Sequence, residues 1–214
     1  MPTILFIRHG ENEYVAKGRL AGRLHGVSLN ENGRHQSEML AKALAKAPVK
    51  AVYSSPLARC METAAPLAQA LGLQVIPRPG LQEIDFGGWQ DKTLKQLRRR
   101  KLWRTVQANP SRMRFPEGES FAEAQTRIVT EVEELCARHK PKDLIACFSH
   151  SDAIKLALSY YLGLSLDLFQ RLVISPASIS TIHIHEEGVR IINVNAGPSL
   201  FVSHPKKSKT SAKD

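Results

Sequence analysis

The chain has 214 residues, 43% of them hydrophobic and 23% charged, which allows one domain with a sizeable core. Its net charge of +10 permits an anionic partner, either nucleic acid or a small phosphate, but does not choose between them. No apolar run approaches the ~20 residues that span a bilayer, and the amino terminus enters a strand without a charged n-region or cleavage site, so neither a membrane protein nor a secreted one is expected and the predicted location is cytoplasmic.

Strand and helix signals alternate in the first part of the chain. After an apolar strand at Thr3–Ile7 and a glycine-rich loop that runs to Leu29, Asn30 is the predicted N-cap of a helix from Glu31 to Ala47. Ser55-Pro56 predicts the start of a second helix, because serine caps helices and proline favours the first helical position. The other predicted elements of this part are a strand at Ala51–Tyr53, the body of the second helix to Leu71, and a strand at Gln74–Ile76.

The second part shows a long helix, an all-apolar strand and a closing hairpin. Ser120 and Glu123 form a capping-box pattern that predicts a helix reaching His139, and the apolar run Leu144–Phe148 predicts a strand buried on both faces. The remaining predicted elements are a loop over Arg78–Gly88, a helix over Thr93–Val106, a break over Pro110–Gly118, a helix over Asp152–Leu162, a strand over Arg171–Ile174, and a hairpin of Ser178–His185 and Val189–Val194 around Glu187-Gly188. This alternation predicts the α/β class, with a single three-layer α/β/α domain and a mostly parallel central sheet over residues 1–203.

Two basic segments carry much of the net charge. Residues 204–214 form a polar, lysine-rich tail without an apolar period, and this composition predicts disorder. Arg98–Lys101 lie within the helix predicted over Thr93–Val106 and are expected to form a solvated helix face. Attraction of an anionic substrate is the alternative interpretation of the basic residues.

No metal site is predicted from the sequence. Cys60, Cys136 and Cys147 fall in apolar contexts and cannot all pair, so they are expected to be reduced core thiols. His183 and His185 alternate on one strand as a metal pair would, but no third ligand accompanies them. A half-exposed polar strand face is therefore the preferred interpretation of these two histidines.

The tetrapeptide Arg8-His9-Gly10-Glu11 follows the first strand, at the end where open α/β sheets bind ligands. Arginine offers a planar fork of donors that suits phosphate oxygens, and a histidine ring nitrogen is a competent nucleophile. The glycine lets the backbone turn sharply. The tetrapeptide therefore indicates phosphoryl chemistry, with a strand-end cation and a histidine of no catalytic role as the alternative.

Further polar segments follow other predicted strands or lie in loops, at Ser54–Arg59, at Glu83 within Leu81–Trp89, and at Ser149-His150. Together with Arg8-His9 and the segment Leu29–Arg34, in this order, they resemble the histidine phosphatase superfamily, also called the phosphoglycerate mutase-like family. The resemblance covers the chain to about Asn195. Each motif is weak alone, and their shared order and spacing make the resemblance specific.

The resemblance implies a role for each of these polar residues, and the chemistry of the side chains supports it. His9 is the expected nucleophile, which carries the phosphoryl group on one ring nitrogen while the other donates to a backbone carbonyl. Arg8 and Arg59 are expected to bind the equatorial oxygens, and His150 is expected to face the phosphate at a helix start. Glu83 is the expected proton donor to the leaving oxygen and later the base that activates water, which requires a raised pKa.

The chain departs from the family pattern at three places. Val15 stands where many members have an asparagine that contributes to the phosphate pocket, and Ala21 replaces a polar residue. After His150 the family commonly has glycine, whereas this chain has Ser151-Asp152, with Ser151 still expected to bind phosphate. Asp85 is a minor alternative to Glu83 for the acid role. These departures leave the phosphoryl-transfer core in place and put the substrate in doubt.

The short segment Phe86–Trp89 resembles the phosphatase branch of the family. The glycolytic mutases are longer and carry Glu-Arg followed by an aromatic residue where this chain has Glu83–Phe86. The predicted function is therefore hydrolysis of a small phosphorylated metabolite, without a cofactor or a metal, through a phosphohistidine on His9. A phosphoglycerate-type mutase is the first alternative.

A non-catalytic module that binds RNA or another polyanion through its basic segments is an alternative of a different class. The retention of the family's histidines, arginines and glutamate counts against it, as does the lone aromatic Trp103 beside the basic run. The expected partner is a small phosphomonoester, with no specific nucleic acid and no membrane. The sequence sets no oligomeric state, and a homodimer is compatible with it.

Substrate selection is expected from the segment Lys92–Pro116, which completes the pocket in this family. The segment is rich in cations, namely Arg98, Arg99, Arg100, Arg104, Arg112 and Arg114. Either Arg112, Arg114 and their neighbours contact a second anionic group of the substrate, or they are solvated.

Overall fold

A computed structural model describes residues 2–185 and 188–201. In these residues a six-stranded sheet runs in the order β3-β2-β4-β1-β5-β6. The strands are β1 (Thr3–Arg8), β2 (Val49–Ser54), β3 (Val75–Pro77), β4 (Leu144–Ser149), β5 (Ile179–His185) and β6 (Gly188–Ala196). The first four strands pair in parallel and the last two antiparallel, so the predicted mostly parallel sheet is confirmed.

Helices cover both faces of the sheet. They are α1 (Glu13–Ala16), α2 (Glu31–Leu44), α3 (Ala58–Leu71), α4 (Leu94–Leu97), α5 (Trp103–Ala108), α6 (Phe121–Ala137) and α7 (Ser151–Tyr161). One buried cluster joins α2 and α3 to side chains such as Leu5 and Val52, and a second joins α6 and α7 to the opposite face, including Ile4 and Cys147. The predicted three-layer α/β/α domain is therefore confirmed.

Side-chain caps begin two of the long helices as predicted. The Asn30 side chain accepts from the Gly33 N–H at the start of α2, and Ser120 and Glu123 form the capping box of α6. The predicted start at Ser55-Pro56 is wrong, because α3 begins at Ala58. The Ser55 hydroxyl lies 2.9 Å from the Nε2 atom of His150, so it bonds to a side chain at the edge of the sheet instead of capping a helix.

Two other boundary predictions are wrong. The helix predicted over Thr93–Val106 is divided into α4 and α5, since the intervening basic residues expose no apolar face that packing could stabilise. The strand predicted over Arg171–Ile174 is the end of a 3₁₀ turn followed by unpaired chain, and the carbonyl of Ile174 accepts from the side chain of Arg8 instead of a neighbouring strand.

The closing hairpin is confirmed by the antiparallel pairing of β5 with β6. Glu187 of its predicted turn and the predicted basic tail at 204–214 lie outside the described residues. Across 2–185 and 188–201, no helix is long and apolar enough to cross a membrane.

The loop after β1 packs directly on the first turn of α2. A Cβ built on Gly10 would lie 2.7 Å from the carbonyl oxygen of Gly33, and one built on Gly33 would overlap the carbonyl oxygen of Glu11. Glu11 also accepts from Asn30 twice, through its carbonyl at 3.1 Å and through its carboxylate at 2.9 Å. The requirement for glycine at position 10 is thus a close backbone approach rather than a left-handed turn.

We expect Gly33→Ala to lower the free energy of unfolding by about 1–3 kcal/mol, because the new methyl group meets backbone atoms that cannot rotate away. Urea denaturation measures the change. Gly88→Ala is the matched control, since the nearest atom to its added Cβ lies 3.8 Å away. Equal stability of the two variants would contradict the close approach.

Candidate active site

Three adjacent parallel strands end at one edge of the sheet. Arg8 at the end of β1 pairs with Ser149 at the end of β4, and Ser54 at the end of β2 pairs with the residue before Ser149. The next residues along the three strands are His9, Ser55 and His150. The register therefore brings together residues that are up to 141 positions apart in the chain.

The His9 ring presents one unprotonated nitrogen. Its Nδ1 atom lies 2.7 Å from the carbonyl oxygen of Gly10, which can only accept, so Nδ1 carries the proton. Burial, with the charges of Arg59 and Arg8, holds the pKa of His9 well below its usual range. The ring is therefore neutral and Nε2 keeps its lone pair, as nucleophilic attack requires.

Arg8 and Arg59 both line a cavity with His9 and are only partly bonded within the protein. The Nη1 atom of Arg8 donates to the Ile174 carbonyl at 2.7 Å, and the Nη2 atom of Arg59 donates to the Gly22 carbonyl at 2.7 Å. The Nε atoms of both arginines and the Nη1 atom of Arg59 are buried without an acceptor among the described residues. Buried donors of this kind are usually satisfied, so the arrangement suits an anion in the cavity.

Asn12 adds a further donor that the sequence analysis missed. It is fully buried, lines the same cavity, and caps α1 by accepting from the Val15 N–H at 2.9 Å. Its Nδ2 atom has no acceptor in the described part of the chain. An amide donor is therefore present although Val15 occupies the position where the family has asparagine. The capping pattern of Asn12 before Glu13 was the available sequence signal.

His150 is completely buried and lies behind the cavity rather than in its lining. Its Nδ1 atom lies 3.2 Å from the Nη2 atom of Arg59, which can only donate, and its Nε2 atom lies 2.9 Å from the Ser55 hydroxyl. Burial holds the pKa of His150 well below its usual range, so the ring is neutral. Its ring centroid lies 5.2 Å from that of His9. The ring thus positions Arg59 and His9, while direct contact with phosphate stays a prediction.

Ser151 lines the cavity as the first residue of α7. The N-terminus of this 11-residue helix carries partial positive charge from its free N–H groups, which favours a bound anion. The sequence-based prediction for Ser151 and the structure thus agree in position. Phosphate binding by Ser151 stays a prediction.

Glu83 lines the cavity at the side of α7. Its Oε1 atom accepts from the N–H groups of Ile84 at 3.0 Å and Ala153 at 3.3 Å. Burial raises the pKa of Glu83 to about 7, and the carboxylate of Asp152 adds to the increase. The carboxyl can therefore donate a proton near neutral pH and accept one afterwards.

The backbone at Glu83 is held by an ion-pair network that the sequence analysis missed. The Glu83 carbonyl accepts from Arg23 at 3.0 Å and from Arg127 at 3.3 Å, and the carboxylate of Glu119 bridges the two guanidinium groups. These residues come from three separate segments of the chain, so no local pattern indicates the contact. The network fixes the direction in which Glu83 enters the cavity.

A family model for the histidine phosphatase superfamily (branch 1) matches residues 4–197. The chain belongs to the histidine phosphatase superfamily. It is 30% identical over 197 residues to phosphoserine phosphatase 1 of Hydrogenobacter thermophilus, covering 91% of this chain and 92% of the relative. It is 31% identical over 185 residues to a probable phosphoglycerate mutase of Serratia proteamaculans, covering 85% of each.

Solved structures share the fold of this chain. The mycobacterial glucosyl-3-phosphoglycerate phosphatase in complex with VO3 superposes with a TM-score of 0.83 and 26% identity, covering 91% of this chain and 99% of the other. Bacillus stearothermophilus YhfR superposes with a TM-score of 0.86 at 22% identity, covering 92% of this chain and 98% of the other. The relatives thus include both phosphatases and a probable mutase.

The arginines expected near the substrate do not line the cavity. The six are Arg98, Arg99, Arg100, Arg104, Arg112 and Arg114. Arg114 pairs with Glu123 at the start of α6. Leu94, Trp103 and Val106 of this segment line the cavity instead, and contact of these arginines with a second anionic group stays a prediction.

The other candidate groups named from the sequence lie outside the cavity. Asp85 accepts from the Gly87 N–H at 2.9 Å and is absent from the cavity lining. The rings of His183 and His185 lie 5.3 Å apart, and Nδ1 of His183 is 2.8 Å from the hydroxyl of Thr3. Among residues 2–185 and 188–201, no three His, Cys, Asp or Glu side chains group to hold a metal ion.

Asp152→Asn is expected to lower the pKa of Glu83 and move the alkaline limb of kcat/KM to lower pH. The reason is that the Asp152 charge opposes ionisation of Glu83, although burial is the larger cause and remains. A pH profile of kcat/KM measures the change. Glu38→Gln, which removes an exposed carboxylate on α2, is the control. An alkaline limb that stays in place in both variants would contradict the assigned cause.

Proposed function

We propose that this chain is a phosphomonoesterase that hydrolyses a small phosphorylated metabolite through a phosphohistidine on His9. One observation carries the proposal, namely the unprotonated Nε2 atom of His9 in a cavity that also holds unpartnered donors of Arg8, Arg59 and Asn12. A nucleophile beside several buried donors suits a transferring phosphoryl group, whose charge is spread over its equatorial oxygens.

In the first step, Nε2 of His9 attacks phosphorus and the bond from phosphorus to the ester oxygen breaks. The protonated carboxyl of Glu83 gives its proton to the leaving oxygen, so an alcohol departs and Glu83 becomes a carboxylate. Arg8 and Arg59 hold the equatorial oxygens, and the N-terminus of α7 at Ser151 adds positive potential. Positioning and charge stabilisation supply most of the rate increase in reactions of this kind.

In the second step, the Glu83 carboxylate takes a proton from water as the water oxygen attacks phosphorus. The phosphorus–nitrogen bond to His9 breaks, and inorganic phosphate leaves. His9 returns to its neutral form with the proton on Nδ1, and Glu83 is again protonated. The cycle therefore closes without a metal or an external cofactor.

Hydrolysis is preferred over mutase activity because a mutase must bind a bisphosphorylated intermediate. In the described residues, Arg19 and Lys155 are the cations that line the cavity besides Arg8 and Arg59. Arg19 pairs with Asp91 and Lys155 with a carboxylate of α7, so a second phosphate would compete with a carboxylate for either cation. The probable mutase among the relatives keeps mutase activity as the second candidate.

The test uses the purified chain with a panel of phosphomonoesters in the presence of a metal chelator. Release of inorganic phosphate, unchanged by the chelator, is the expected result. Migration of phosphate within a glycerate phosphate, stimulated by a bisphosphate primer and faster than release, would support the mutase. Absence of both reactions, with salt-dependent retention on a polyanion column, would support a binding module instead.

A further inference from the structure

The cavity that contains the proposed phosphate-binding groups is also lined by apolar side chains. The volume of the whole cavity is about 350 Å³. We use the name apolar wall for the six side chains Val15, Trp89, Leu94, Trp103, Val106 and Phe115, all of which line it. The wall lines the same cavity as His9 and Glu83, so the leaving group of a bound phosphomonoester can reach it.

Aromatic packing makes the apolar wall rigid. The rings of Trp89 and Trp103 are stacked, with an interplanar angle of 14° and centroids 6.3 Å apart, and Phe115 meets Trp89 edge to face at 5.3 Å. Trp89 and Phe115 are almost wholly buried. These two buried side chains therefore hold the partly exposed ring of Trp103 in a fixed position at the cavity. A planar or bulky hydrocarbon group is the chemistry that matches it.

The further cations of the lining are each paired with a carboxylate, although the Nε atom of Arg19 is buried without an acceptor among the described residues. Apart from the phosphate-binding arginines, the described lining residues include two cations. Arg19 lies 2.6 Å from the carboxylate of Asp91, and Lys155 lies 3.1 Å from that of Asp152. A carboxylate or second phosphate on the leaving group would compete with these carboxylates for the charge of Arg19 or Lys155 and would otherwise face apolar side chains, which costs free energy.

We propose that the natural substrate is the phosphomonoester of an apolar alcohol, with an aromatic or branched hydrocarbon portion seated on the apolar wall. The inference rests on the proposed function and specifies its substrate class. It separates this chain from relatives whose names specify phosphoserine or a phosphoglycerate, because those leaving groups carry a carboxylate.

The indole N–H of Trp89 indicates one polar group that the substrate is expected to carry. Its Nε1 atom is buried and donates to no acceptor among the described residues, although buried indole N–H groups usually have one. One hydrogen-bond acceptor on an otherwise apolar leaving group would satisfy it. The expected substrate therefore combines a hydrocarbon body with a neutral hydrogen-bond acceptor near Trp89.

The test compares three alkyl phosphates whose alcohols have similar acidity, so that intrinsic reactivity contributes little. They are 2-phenylethyl phosphate, ethyl phosphate and 3-phosphoglycerate. Burial of the phenyl group is expected to raise kcat/KM for the first at least about tenfold above ethyl phosphate. The value for 3-phosphoglycerate is expected to fall below both.

Two matched variants test whether the apolar wall causes the preference for 2-phenylethyl phosphate. Leu94→Arg adds a cation to the apolar wall, and Leu102→Arg adds one to an exposed leucine of the same chain segment outside the lining. Leu94→Arg is expected to lower kcat/KM for 2-phenylethyl phosphate at least fivefold and to raise it for 3-phosphoglycerate. Leu102→Arg is expected to change neither value more than twofold. Thermal melting confirms that both variants are folded.

The outcomes separate this inference from the proposed function. Phosphate release with 3-phosphoglycerate equal to or better than 2-phenylethyl phosphate would overturn the substrate class and leave the hydrolase in place. Equal effects of Leu94→Arg and Leu102→Arg would overturn the role of the wall. Failure to release phosphate from all three esters would overturn the proposed function and the inference with it. Binding of 2-phenylethylphosphonate, followed by tryptophan fluorescence, provides a measurement independent of turnover.

Discussion

His9→Asn is expected to lower kcat/KM for phosphate release by a factor on the order of 10⁴–10⁶, the scale on which loss of a covalent nucleophile acts. The asparagine amide can still donate to the Gly10 carbonyl as Nδ1 of His9 does at 2.7 Å, whereas it has no counterpart of Nε2. The variant therefore removes the nucleophile while keeping the buried contact. Phosphate release with a phosphomonoester measures the loss.

The matched control is His35→Asn, which alters an exposed histidine on α2. It is expected to retain full activity. Acid-stable and base-stable phosphoamino acids can be told apart, so rapid quenching with labelled substrate tests the intermediate directly. An acid-labile label on the native chain that is absent from His9→Asn is the expected result. Activity of His9→Asn within tenfold of the native chain would exclude the phosphohistidine.

Glu83→Gln is expected to lower kcat/KM for alkyl phosphates by about 10²–10⁴-fold, because the leaving alkoxide then receives no proton from the protein. Glutamine keeps an oxygen that can accept from the Ile84 and Ala153 N–H groups, so the local backbone should be retained. With 4-nitrophenyl phosphate the loss is expected to be much smaller, since the phenolate leaves without protonation. The ratio of the two losses distinguishes an acid role from a structural one.

The pH profile adds a second readout for Glu83. The carboxyl has its pKa raised to about 7, so its proton is present below that pH and is lost above it. In the native chain kcat/KM is therefore expected to fall as pH rises through about 7, while the low pKa of His9 keeps the nucleophile neutral on the acid side. Glu83→Gln removes this alkaline limb. Asp85→Asn is the control and is expected to keep it, and a limb that moves with Asp85 instead would reassign the acid.

Local patterns were sufficient for most of the elements and for the polar groups at strand ends. Parallel strands end at a common sheet edge, so Arg8, His9 and His150 could be placed together from the elements that precede them. The helix caps at Asn30 and Ser120 could also be predicted from the sequence, because a helix start depends on a few consecutive residues. Local propensity was misleading at Ser55, whose hydroxyl is engaged by a ring from another strand.

The contacts that shape the cavity could not be predicted from local sequence patterns. Asn12 lines the cavity with an amide nitrogen that has no acceptor among the described residues, and the bridge from Arg23 through Glu119 to Arg127 joins two segments about 100 residues apart. No periodicity encodes such contacts, since each depends on where the whole domain places its neighbours. The pKa of Glu83 has the same origin, because burial is its first cause.

The amino-acid sequence alone was sufficient to predict the family and the fold class and to name the candidate site residues, because these depend on motifs in order and on strand ends. Which side chains line the cavity was decided only by the tertiary structure. Lys92–Pro116 reads as a basic segment, yet its arginines lie outside the cavity while Leu94, Trp103 and Val106 line it. Burial selects which face of a segment meets the substrate, and burial is a property of the folded domain.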